Sequence, residues 1–228
     1  MKAEFVPIIS LHADPIVASG AGSGGGTHQY LRELLSSLAL RGRRCAVLTR
    51  RVSSAQPREQ VLSSHARIMR LQIGEVAPLD KKLLNSWHSE TVRAIREALD
   101  AMSEDIRILH SVYWNSGRAA MDISRTLNIP FVHTVISNGL RRIGEGAKDT
   151  ADDRVTIERQ VFAAAERIFS VSHDEYDDLT SRYGVDPAKI IIVGRPVDRA
   201  FSDPAHDECG RPRNPLAAYE STPRRGRQ

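Results

Sequence analysis

The sequence predicts an α/β fold, a doubly wound and mostly parallel Rossmann-like sheet with helices on both faces. Two observations predict it. Short apolar runs alternate along the 228 residues with longer amphipathic segments, a pattern typical of β-α-β units joined by right-handed crossovers. In addition, a glycine-rich loop separates the first apolar run from the first amphipathic segment, where sheets of this kind bind ligands.

The predicted strands are short apolar runs bounded by polar residues or glycine. In the first, Pro7 lies near the start of the strand, where a missing backbone N–H is tolerated. The strands cover residues 5–11, 45–49, 67–73, 106–110, 130–135, 167–171 and 190–193.

The predicted helices carry apolar side chains at helical spacing. They cover residues 27–41, 81–102, 117–127, 152–165 and 174–183. The first has Thr27 as its expected N-cap and Gly42 as the residue that stops it. The second has one apolar stripe, formed by Leu84, Trp87, Ile95, Ala98, Leu99 and Met102 with Thr91 as its polar member.

Three segments show no regular pattern. Residues 12–26 form a long loop that ends in glycines, and residues 140–150 form a second, polar loop. The segment 203–228 is rich in proline, arginine and glycine and has no hydrophobic period, which predicts disorder. We therefore expect one domain over residues 1–202, followed by a disordered tail.

The composition is that of an ordinary globular protein, with 41% hydrophobic and 26% charged residues. These values exclude the disordered, collagen-like and disulfide-rich classes. Cys45 and Cys209 fit a reducing compartment without a disulfide framework. No apolar run approaches the roughly 18 residues of a membrane span, and the N-terminus lacks the features of a signal peptide. The expected location is the cytoplasm, with no integral membrane segment.

The charge balance is mildly basic, since 32 Lys and Arg residues against 28 Asp and Glu residues give +4. The arginines are spread along the chain, and aromatic residues make up only 5%. A nucleic-acid-binding surface concentrates positive charge and adds aromatic side chains for stacking. We therefore expect no nucleic-acid partner and interpret most arginines as solvated surface residues. The alternative, that some of them bind a phosphorylated ligand, stays open.

The glycine-rich loop over residues 20–26 leads directly into the first helix. Glycine lets the backbone turn sharply and lets a ligand approach without a Cβ in the way. A helix N-terminus adds free N–H groups and about half a positive charge. The loop is therefore a candidate phosphate-binding site, the alternative being a flexible surface loop.

Two common nucleotide motifs fit this loop poorly. Gly20, Gly22 and Gly25 match the dinucleotide pattern G-x-G-x-x-G, but the loop is about eight residues too long after the strand. Residues 49–51, Thr-Arg-Arg, replace the acid expected at the end of the second strand and at best suit a 2′-phosphate. A P-loop is excluded, since no Gly-Lys-Ser/Thr follows. A small NAD(P)-linked oxidoreductase is thus the less favoured alternative.

A second cluster of polar and aromatic residues lies at 110–117, His-Ser-Val-Tyr-Trp-Asn-Ser-Gly, where a predicted strand ends and a helix begins. Side chains at the carboxyl end of a strand reach the crevice into which the glycine-rich loop also opens. There Tyr113 and Asn115 can hydrogen-bond sugar hydroxyls and Trp114 can stack on a ring. Alternatively, the two aromatic side chains pack beneath the helix.

Together these segments resemble the opening of the family-four retaining glycosyltransferases, which have the GT-B fold and include sucrose-phosphate synthases and inositol-phosphate N-acetylglucosaminyltransferases. Residues 110–117 are similar to the family's H-S-x-Y-W-x-S-G. The other matching segments are Ser-Leu-His-Ala-Asp-Pro at 10–15, the glycine pair at 25–26 with Tyr30, Ile-Pro-Phe-Val-His-Thr at 129–134, Arg154 with Glu158, and Ser172 with Glu175. The similarity runs in register from about residue 5 to residue 201.

The resemblance implies an acceptor-side N-terminal domain. It implies a nucleotide-diphosphate sugar as the donor substrate, with no cofactor and no metal. The donor diphosphate would be bound by Gly24, Gly25 and Gly26. The acceptor, a sugar or polyol with or without a phosphate, would be bound by His28, Lys81 (or its neighbour Lys82), Tyr113, Thr134 and Arg154. For Arg154, the spacing equally fits an ion pair with Glu158 on the helix surface.

The sequence departs from the family pattern at one chemically important position. Ile136 stands where the family's T-x-H-x-x-G motif has a histidine that points at the transferred sugar, so the catalytic residue is unknown. His133 lies three residues earlier, and an odd offset on a strand places it on the opposite face. The family's E-x7-E pair belongs to a second domain, and we interpret the same spacing of Glu158 and Glu166 as chance.

A GT-B enzyme needs a second Rossmann-like domain, and we expect this chain to lack it. The first hypothesis is therefore the acceptor-side half of a hexosyltransferase whose donor half is a separate chain or was lost. Its partners would be a nucleotide sugar, a sugar or sugar-phosphate acceptor and the donor-domain chain. The second hypothesis is a non-catalytic binding or remnant domain, which Ile136 favours.

Overall fold

The protein consists of a sheet and the helices that join its strands. The computed structural model describes residues 4–16, 25–79, 83–147 and 153–194. Within these ranges the strands are β1 (Glu4–Ile9), β2 (Arg44–Arg50), β3 (Glu59–Val61), β4 (Ala66–Leu71), β5 (Asp105–Ile106), β6 (Leu109–Val112), β7 (Phe131–Val135), β8 (Arg167–Ser170) and β9 (Ile190–Ile192). The helices are α1 (Gly26–Leu40), α2 (His88–Asp100), α3 (Trp114–Leu127), α4 (Gly139–Gly144), α5 (Arg154–Ala164) and α6 (His173–Ser181).

The strand order of the sheet reverses beside β1. The order is β3-β4-β2-β1-β6-β7-β8-β9, with the short β5 also paired to β1. Neighbouring strands are parallel, except that β3 is antiparallel to β4. The prediction of a doubly wound, mostly parallel Rossmann-like sheet is confirmed.

Alternating side chains divide the core into two layers, one on each face of the sheet. On one face, Ile8 and Val47 pack with side chains of α1. On the other face, Ile9 and Leu48 belong to a larger cluster that includes side chains of α2, α3, α5 and α6. Because successive strand residues point to opposite faces, a strand covered on both faces needs a continuous apolar run. This is why the central strands β1 and β2 were recognisable as apolar runs.

Each predicted strand and helix has a counterpart, and the differences lie at the connections. The predicted helix 81–102 begins, within the described residues, as a 3-10 turn at Leu83–Trp87 that precedes α2. The predicted strand 106–110 is two pieces, β5 and β6, which pair with different parts of β1. The polar loop 140–150 contains α4, because Asn138 caps it by accepting from the Arg141 N–H at 2.8 Å. The three-residue edge strand β3 was not predicted.

The two ends of α1 differ in how well the sequence predicted them. Thr27 as the N-cap is wrong, because Gly25 occupies that position and makes no side-chain cap bond. The stop at Gly42 is confirmed, since its φ is +70° and its N–H bonds the Ala39 carbonyl at 2.9 Å. As a glycine, this N-cap residue offers the first N–H groups of α1 no side-chain acceptor.

The apolar stripe of the second predicted helix is confirmed. Its core members are buried: Leu84, Thr91, Ile95, Ala98 and Leu99. Cys45 is also buried, and burial raises the pKa of its thiol to about 12. Cys209 and the tail 203–228 lie outside the described residues. Within the described part of the chain, no helix is both long enough and apolar enough to cross a membrane.

Trp87 and Arg50 organise the segment that follows β4. The Arg50 guanidinium donates to three backbone oxygens within residues 73–77 and lies 5.3 Å from the centroid of the Trp87 ring. Gly74 has a φ of +61°, and a Cβ there would lie 1.6 Å from the Trp87 ring. Both the backbone conformation and the available space therefore require glycine at this position.

We expect Gly74→Ala to lower the free energy of unfolding by about 2–5 kcal/mol, because overpacking of about 1–3 kcal/mol adds to left-handed strain of about 1–2 kcal/mol. Gly42→Ala is the matched control, since Gly42 has a similar φ of +70° and no atom within 4 Å of its added Cβ. This variant should lose only the strain. Urea unfolding measures both losses, and equal losses would contradict the packing argument.

Candidate ligand-binding site

The candidate site is the crevice at the carboxyl ends of β1 and β6, where the strand order reverses. The loops that follow β1, β6 and β7 meet there, together with the first turns of α1, α3 and α5. Open α/β sheets bind their ligands at this type of position, because the helices leave the two central strands on opposite faces.

The loop that follows β1 is fastened to its neighbours by hydrogen bonds. The Leu11 N–H donates to the Ser116 hydroxyl of α3 at 3.1 Å. The Thr49 hydroxyl at the end of β2 donates to the Ala13 carbonyl at 3.3 Å. These bonds therefore hold residues 11–13 of the loop next to the crevice, although they have no regular secondary structure.

Asp14 connects the same loop to β4 and α1. Its carboxylate accepts from Arg70 Nε at 2.6 Å, and the two side chains are 7% and 3% exposed. Its backbone oxygen accepts from His28 Nδ1 at 2.8 Å. Because a carbonyl oxygen can only accept, Nδ1 carries a proton, and in the neutral imidazole Nε2 is then the ring atom able to accept a hydrogen bond from a ligand.

Gly25 and Gly26 open α1 at the edge of the crevice. Among the residues that the structure describes, no atom lies within 4 Å of the Cβ that either glycine would carry, and the first turn of α1 holds no acidic residue. The start of this helix thus combines open space with the partial positive charge of a helix N-terminus. Gly24 lies outside the described residues, as do Gly20 and Gly22.

Tyr113 follows β6 with a strained backbone. Its φ of 76° and ψ of 153° lie in a region that costs residues other than glycine about 1–3 kcal/mol. Its ring centroid lies 4.3 Å from that of His12 and 5.0 Å from the guanidinium carbon of Arg154. We refer to these three side chains as the His12–Tyr113–Arg154 stack. Strain of this kind persists only where surrounding contacts hold the residue in place.

Arg154 is buried and bonded within the protein. Its Nε donates to Glu158 at 2.7 Å, its Nη2 to the Ser137 carbonyl at 2.7 Å, and its Nη1 to the Tyr113 hydroxyl at 3.3 Å. The Arg154 and Glu158 side chains are 3% and 1% exposed. The alternative of an ion pair on the helix surface is corrected accordingly: the pair exists, but it is buried.

Glu158 also holds the turn that follows β7. Its carboxylate accepts from the Gly139 N–H at 2.9 and 3.1 Å and from the Tyr183 hydroxyl. Burial, and then the Glu158 charge, raise the pKa of Tyr183 well above its ordinary value, so its hydroxyl stays protonated and donates. A Cβ on Gly139 would lie 3.0 Å from Glu158 Oε2, so glycine permits the close approach of this carboxylate.

Thr134 is fully buried, and its hydroxyl is bonded within the protein. Its Oγ1 lies 2.9 Å from the Tyr30 hydroxyl of α1 and 2.8 Å from His110 Nε2. Burial lowers the pKa of His110 to about 4, so this imidazole is neutral at neutral pH. The contacts among Tyr30, Thr134 and His110 connect α1, β7 and β6.

Ile136 and His133 lie on opposite faces of the sheet, as their odd offset predicts. Ile136 packs against the apolar layer that α1 covers. On the other face, His133 Nδ1 lies 2.8 Å from the Ser111 hydroxyl, and its ring centroid lies 5.8 Å from that of Phe162. Burial, and then the nearby His110, lower the pKa of His133 to about 3. His133 therefore does not take the place of the family's histidine.

The two arginines at the end of β2, Arg50 and Arg51, are not arranged for a 2′-phosphate. Arg50 donates to the backbone of residues 73–77, as described above. Arg51 donates to the backbone oxygens of Gln56 and Ser54 at 2.9 and 2.7 Å. This geometry removes the observation that had kept an NAD(P)-linked enzyme as an alternative.

The structure brings some predicted site residues together and leaves others out. Tyr113 contacts Arg154, and His28 is bonded to Asp14 in the loop that follows β1, whereas Thr134 is fully buried. Lys81 and Lys82 lie outside the described residues. Within the described ranges, no group of three or more His, Cys, Asp or Glu side chains is placed to hold a metal ion.

Sequence reasoning missed three residues that bond to residues of the site and hold them in position. Arg70, Ser116 and Tyr183 are distant in sequence from Asp14, Leu11 and Glu158, respectively, which they contact. For Arg70, the available signal was a second arginine in the otherwise apolar β4. That signal could mark it as unusual but could not identify its partner.

The comparisons with known proteins agree with this geometry. Residues 25–196 match the model of the glycosyl transferase 4-like domain. The chain is 31% identical over 206 residues to a D-inositol 3-phosphate glycosyltransferase from Kineococcus radiotolerans, covering 88% of this chain and 47% of that protein. It is 28% identical over 197 residues to the protein of that name from Thermobifida fusca, covering 85% and 45%. The chain thus spans about half the length of the curated relatives it matches.

A solved structure supports the same relationship. Sucrose-phosphate synthase from Thermosynechococcus elongatus aligns with a TM-score of 0.76 at 25% sequence identity. The alignment covers 84% of this chain and 48% of that one.

We expect the protein to lose stability between about pH 7 and about pH 5, by about 2 kcal/mol for each of His110 and His133. Their pKa values of about 4 and about 3 lie below the ordinary 6.5. The unfolded chain therefore binds protons in this range that the folded chain does not. Urea unfolding measures the loss, and NMR of the imidazole carbons reports the charge of each ring. Titration of either ring above about pH 6 in the folded protein would contradict this prediction.

Proposed function

The chain belongs to the glycosyl transferase 4-like domain family, and from this premise we propose that it forms the acceptor side of a retaining glycosyltransferase. The proposed reaction transfers a sugar from a nucleotide-diphosphate sugar to a phosphorylated sugar or polyol. The observation that carries the proposal is that one crevice holds both an uncapped helix N-terminus and the His12–Tyr113–Arg154 stack. The first suits a diphosphate, and the second suits a phosphorylated acceptor.

On the donor side, the diphosphate would bind at Gly24, Gly25 and Gly26. The open space at Gly25 and Gly26 admits a ligand close to the backbone, and the N–H groups of α1 supply donors and partial positive charge. As the bond to the sugar breaks, negative charge grows on the leaving diphosphate. Backbone donors that are already in place stabilise this charge without having to reorganise.

On the acceptor side, Arg154 and His28 supply complementary groups. Arg154 Nη1 carries two N–H groups, of which one donates to Tyr113, and we assign the other to the acceptor phosphate. His28 Nε2 would accept from an acceptor hydroxyl, and Lys81 would add positive charge. Thr134 would act as a positioning residue, through its bonds to Tyr30 and His110.

The other half of the reaction needs the nucleotide sugar to be held opposite this crevice. We propose that a second Rossmann-like domain does this, supplied by a separate chain or by a longer form of this protein. A cytoplasmic location and the absence of a nucleic-acid partner remain predictions.

Ile136 favours a second candidate function, a domain that binds both ligands without transferring the sugar. An aliphatic side chain packed against the α1 layer can neither exchange a proton nor hydrogen-bond a sugar. Binding of both ligands without transfer, in the presence of a donor domain from a relative, would favour this second function. Transfer under the same conditions would favour the first.

We expect Gly25→Asp to weaken the binding of inorganic pyrophosphate by about tenfold without impairing folding. Gly25 has an extended backbone with φ −108° and open space at its Cβ, and aspartate is a favoured N-cap. The free energy of unfolding should therefore stay the same or rise by up to about 1 kcal/mol. The new carboxylate would repel the ligand.

Gly25→Asn is the matched control for this experiment, because it provides a similar cap without the charge and should lose less affinity. Isothermal titration calorimetry at low salt measures binding. Equal affinities for Gly25→Asp and the unchanged protein would remove this segment from the proposed donor site.

We expect Arg154→Met combined with Glu158→Gln to weaken the binding of D-inositol 3-phosphate by about 1.5–3 kcal/mol, the value of a charge-assisted hydrogen bond. Changing both residues avoids leaving one buried charge unpaired. Glu158→Gln alone keeps the guanidinium and should lose less, and Arg159→Met alters an exposed arginine of the same helix and should lose nothing. Calorimetry measures each affinity, and an unchanged value for the double variant would make Arg154 purely structural.

A further inference from the structure

A cleft of about 190 Å³ opens beside the candidate site. Half of its lining is aliphatic or proline: Leu11, Val52, Pro78, Leu79 and Leu84. The other lining residues are polar, which in the sequence alone would indicate a site for a polar ligand.

These polar side chains direct most of their polar atoms into the protein. The Asp14 carboxylate faces Arg70 at 2.6 Å. The Thr49 hydroxyl donates to a backbone oxygen of the loop after β1, and the Arg50 guanidinium donates to backbone oxygens of residues 73–77. The parts of Asp14, Thr49 and Arg50 that remain for the cleft are mainly carbon. Its wall is therefore more apolar than its residue types imply.

The two histidines of the lining determine how a ligand would be oriented in the cleft. His12 stacks on Tyr113, so the cleft and the His12–Tyr113–Arg154 stack share this side chain. His28 Nδ1 is bonded to the Asp14 carbonyl, which makes Nε2 an acceptor. A ligand in the cleft would therefore meet an apolar wall and an imidazole acceptor, next to the stack.

We propose that this cleft is a subsite for a compact apolar group of the acceptor. This group carries one hydroxyl, which donates to His28 Nε2. This inference rests on the proposed function, because only that function places an acceptor at the adjoining stack. The cleft is smaller than the roughly 300–1,000 Å³ of pockets for drug-sized ligands, so it suits a single ring or a short chain. A polyol ring would bury hydroxyls there without partners, which is unfavourable.

Two six-membered rings test this inference on the 228-residue chain. Cyclohexanol has one hydroxyl, and myo-inositol has one on every carbon. We expect cyclohexanol at millimolar concentration to shift the methyl NMR signals of Val52, Leu79 and Leu84, and myo-inositol to bind there at least about tenfold more weakly. Absence of shifts with cyclohexanol, or equally tight binding of myo-inositol, would overturn the inference.

Matched variants locate the binding. Leu79→Asp places a charge on the cleft wall and should weaken cyclohexanol binding by about tenfold. Leu83→Asp makes the same change at a leucine that is 53% exposed and absent from the lining, and it should leave the affinity within about twofold. Circular dichroism checks folding. If Leu79→Asp does not fold, Val52→Thr introduces a hydroxyl at nearly constant volume and should weaken binding severalfold.

The failure of this inference differs measurably from the failure of the proposed function. Binding of D-inositol 3-phosphate without binding of cyclohexanol would overturn the cleft subsite alone. Binding of cyclohexanol that Leu79→Asp abolishes, without binding of D-inositol 3-phosphate, would support an apolar cleft and overturn the acceptor role of the stack. Binding of both, with only the phosphate compound sensitive to the Arg154 and Glu158 double variant, supports both.

Discussion

The reversal of strand order between β1 and β6 is the constraint on which the rest of the structure depends. The helices that follow these strands, α1 and α3, pack into different layers of the core, on opposite faces of the sheet. Their first turns are therefore separated, and a crevice opens at the carboxyl ends of the two strands. The stack, the start of α1 and the cleft all lie along this edge. Without the reversal, both helices would lie on one face of the sheet and no crevice would open between their first turns.

Buried polar contacts give this crevice its detailed shape. The Arg70–Asp14 and Arg154–Glu158 pairs are almost fully buried, and for such pairs desolvation offsets much of the electrostatic attraction. Their main effect is therefore orientation. The first pair places the loop after β1 and, through it, His28, while the second places the guanidinium beside Tyr113. The first pair, together with the backbone contacts of Thr49 and Arg50, also turns polar atoms away from the neighbouring cleft.

The strain at Tyr113 and the apolar side chain of Ile136 bear on different parts of the proposed function. The Tyr113 backbone is held in an unfavourable conformation by contacts with His12 and Arg154, as is common where a binding surface must keep one geometry. Ile136 instead provides carbon where the resemblance to the family places an imidazole. The first feature concerns binding and the second concerns transfer, so the two can be tested separately.

The sequence by itself determined the α/β class, the approximate position of the longer helices and most strands, and the glycine segment that opens α1. These features depend on hydrophobic period and on local backbone preferences, which a single segment carries. Short elements such as β3 and α4 escaped, because one depends on pairing with β4 and the other on a cap from Asn138. The tertiary structure alone decided that Thr134 is buried, that Arg154 is paired internally and that the cleft is apolar. Tyr30 and Thr134 are 104 residues apart, and Asp14 and Arg70 are 56 apart. Which distant side chains meet follows from strand order and packing, and neither is a property of any one segment.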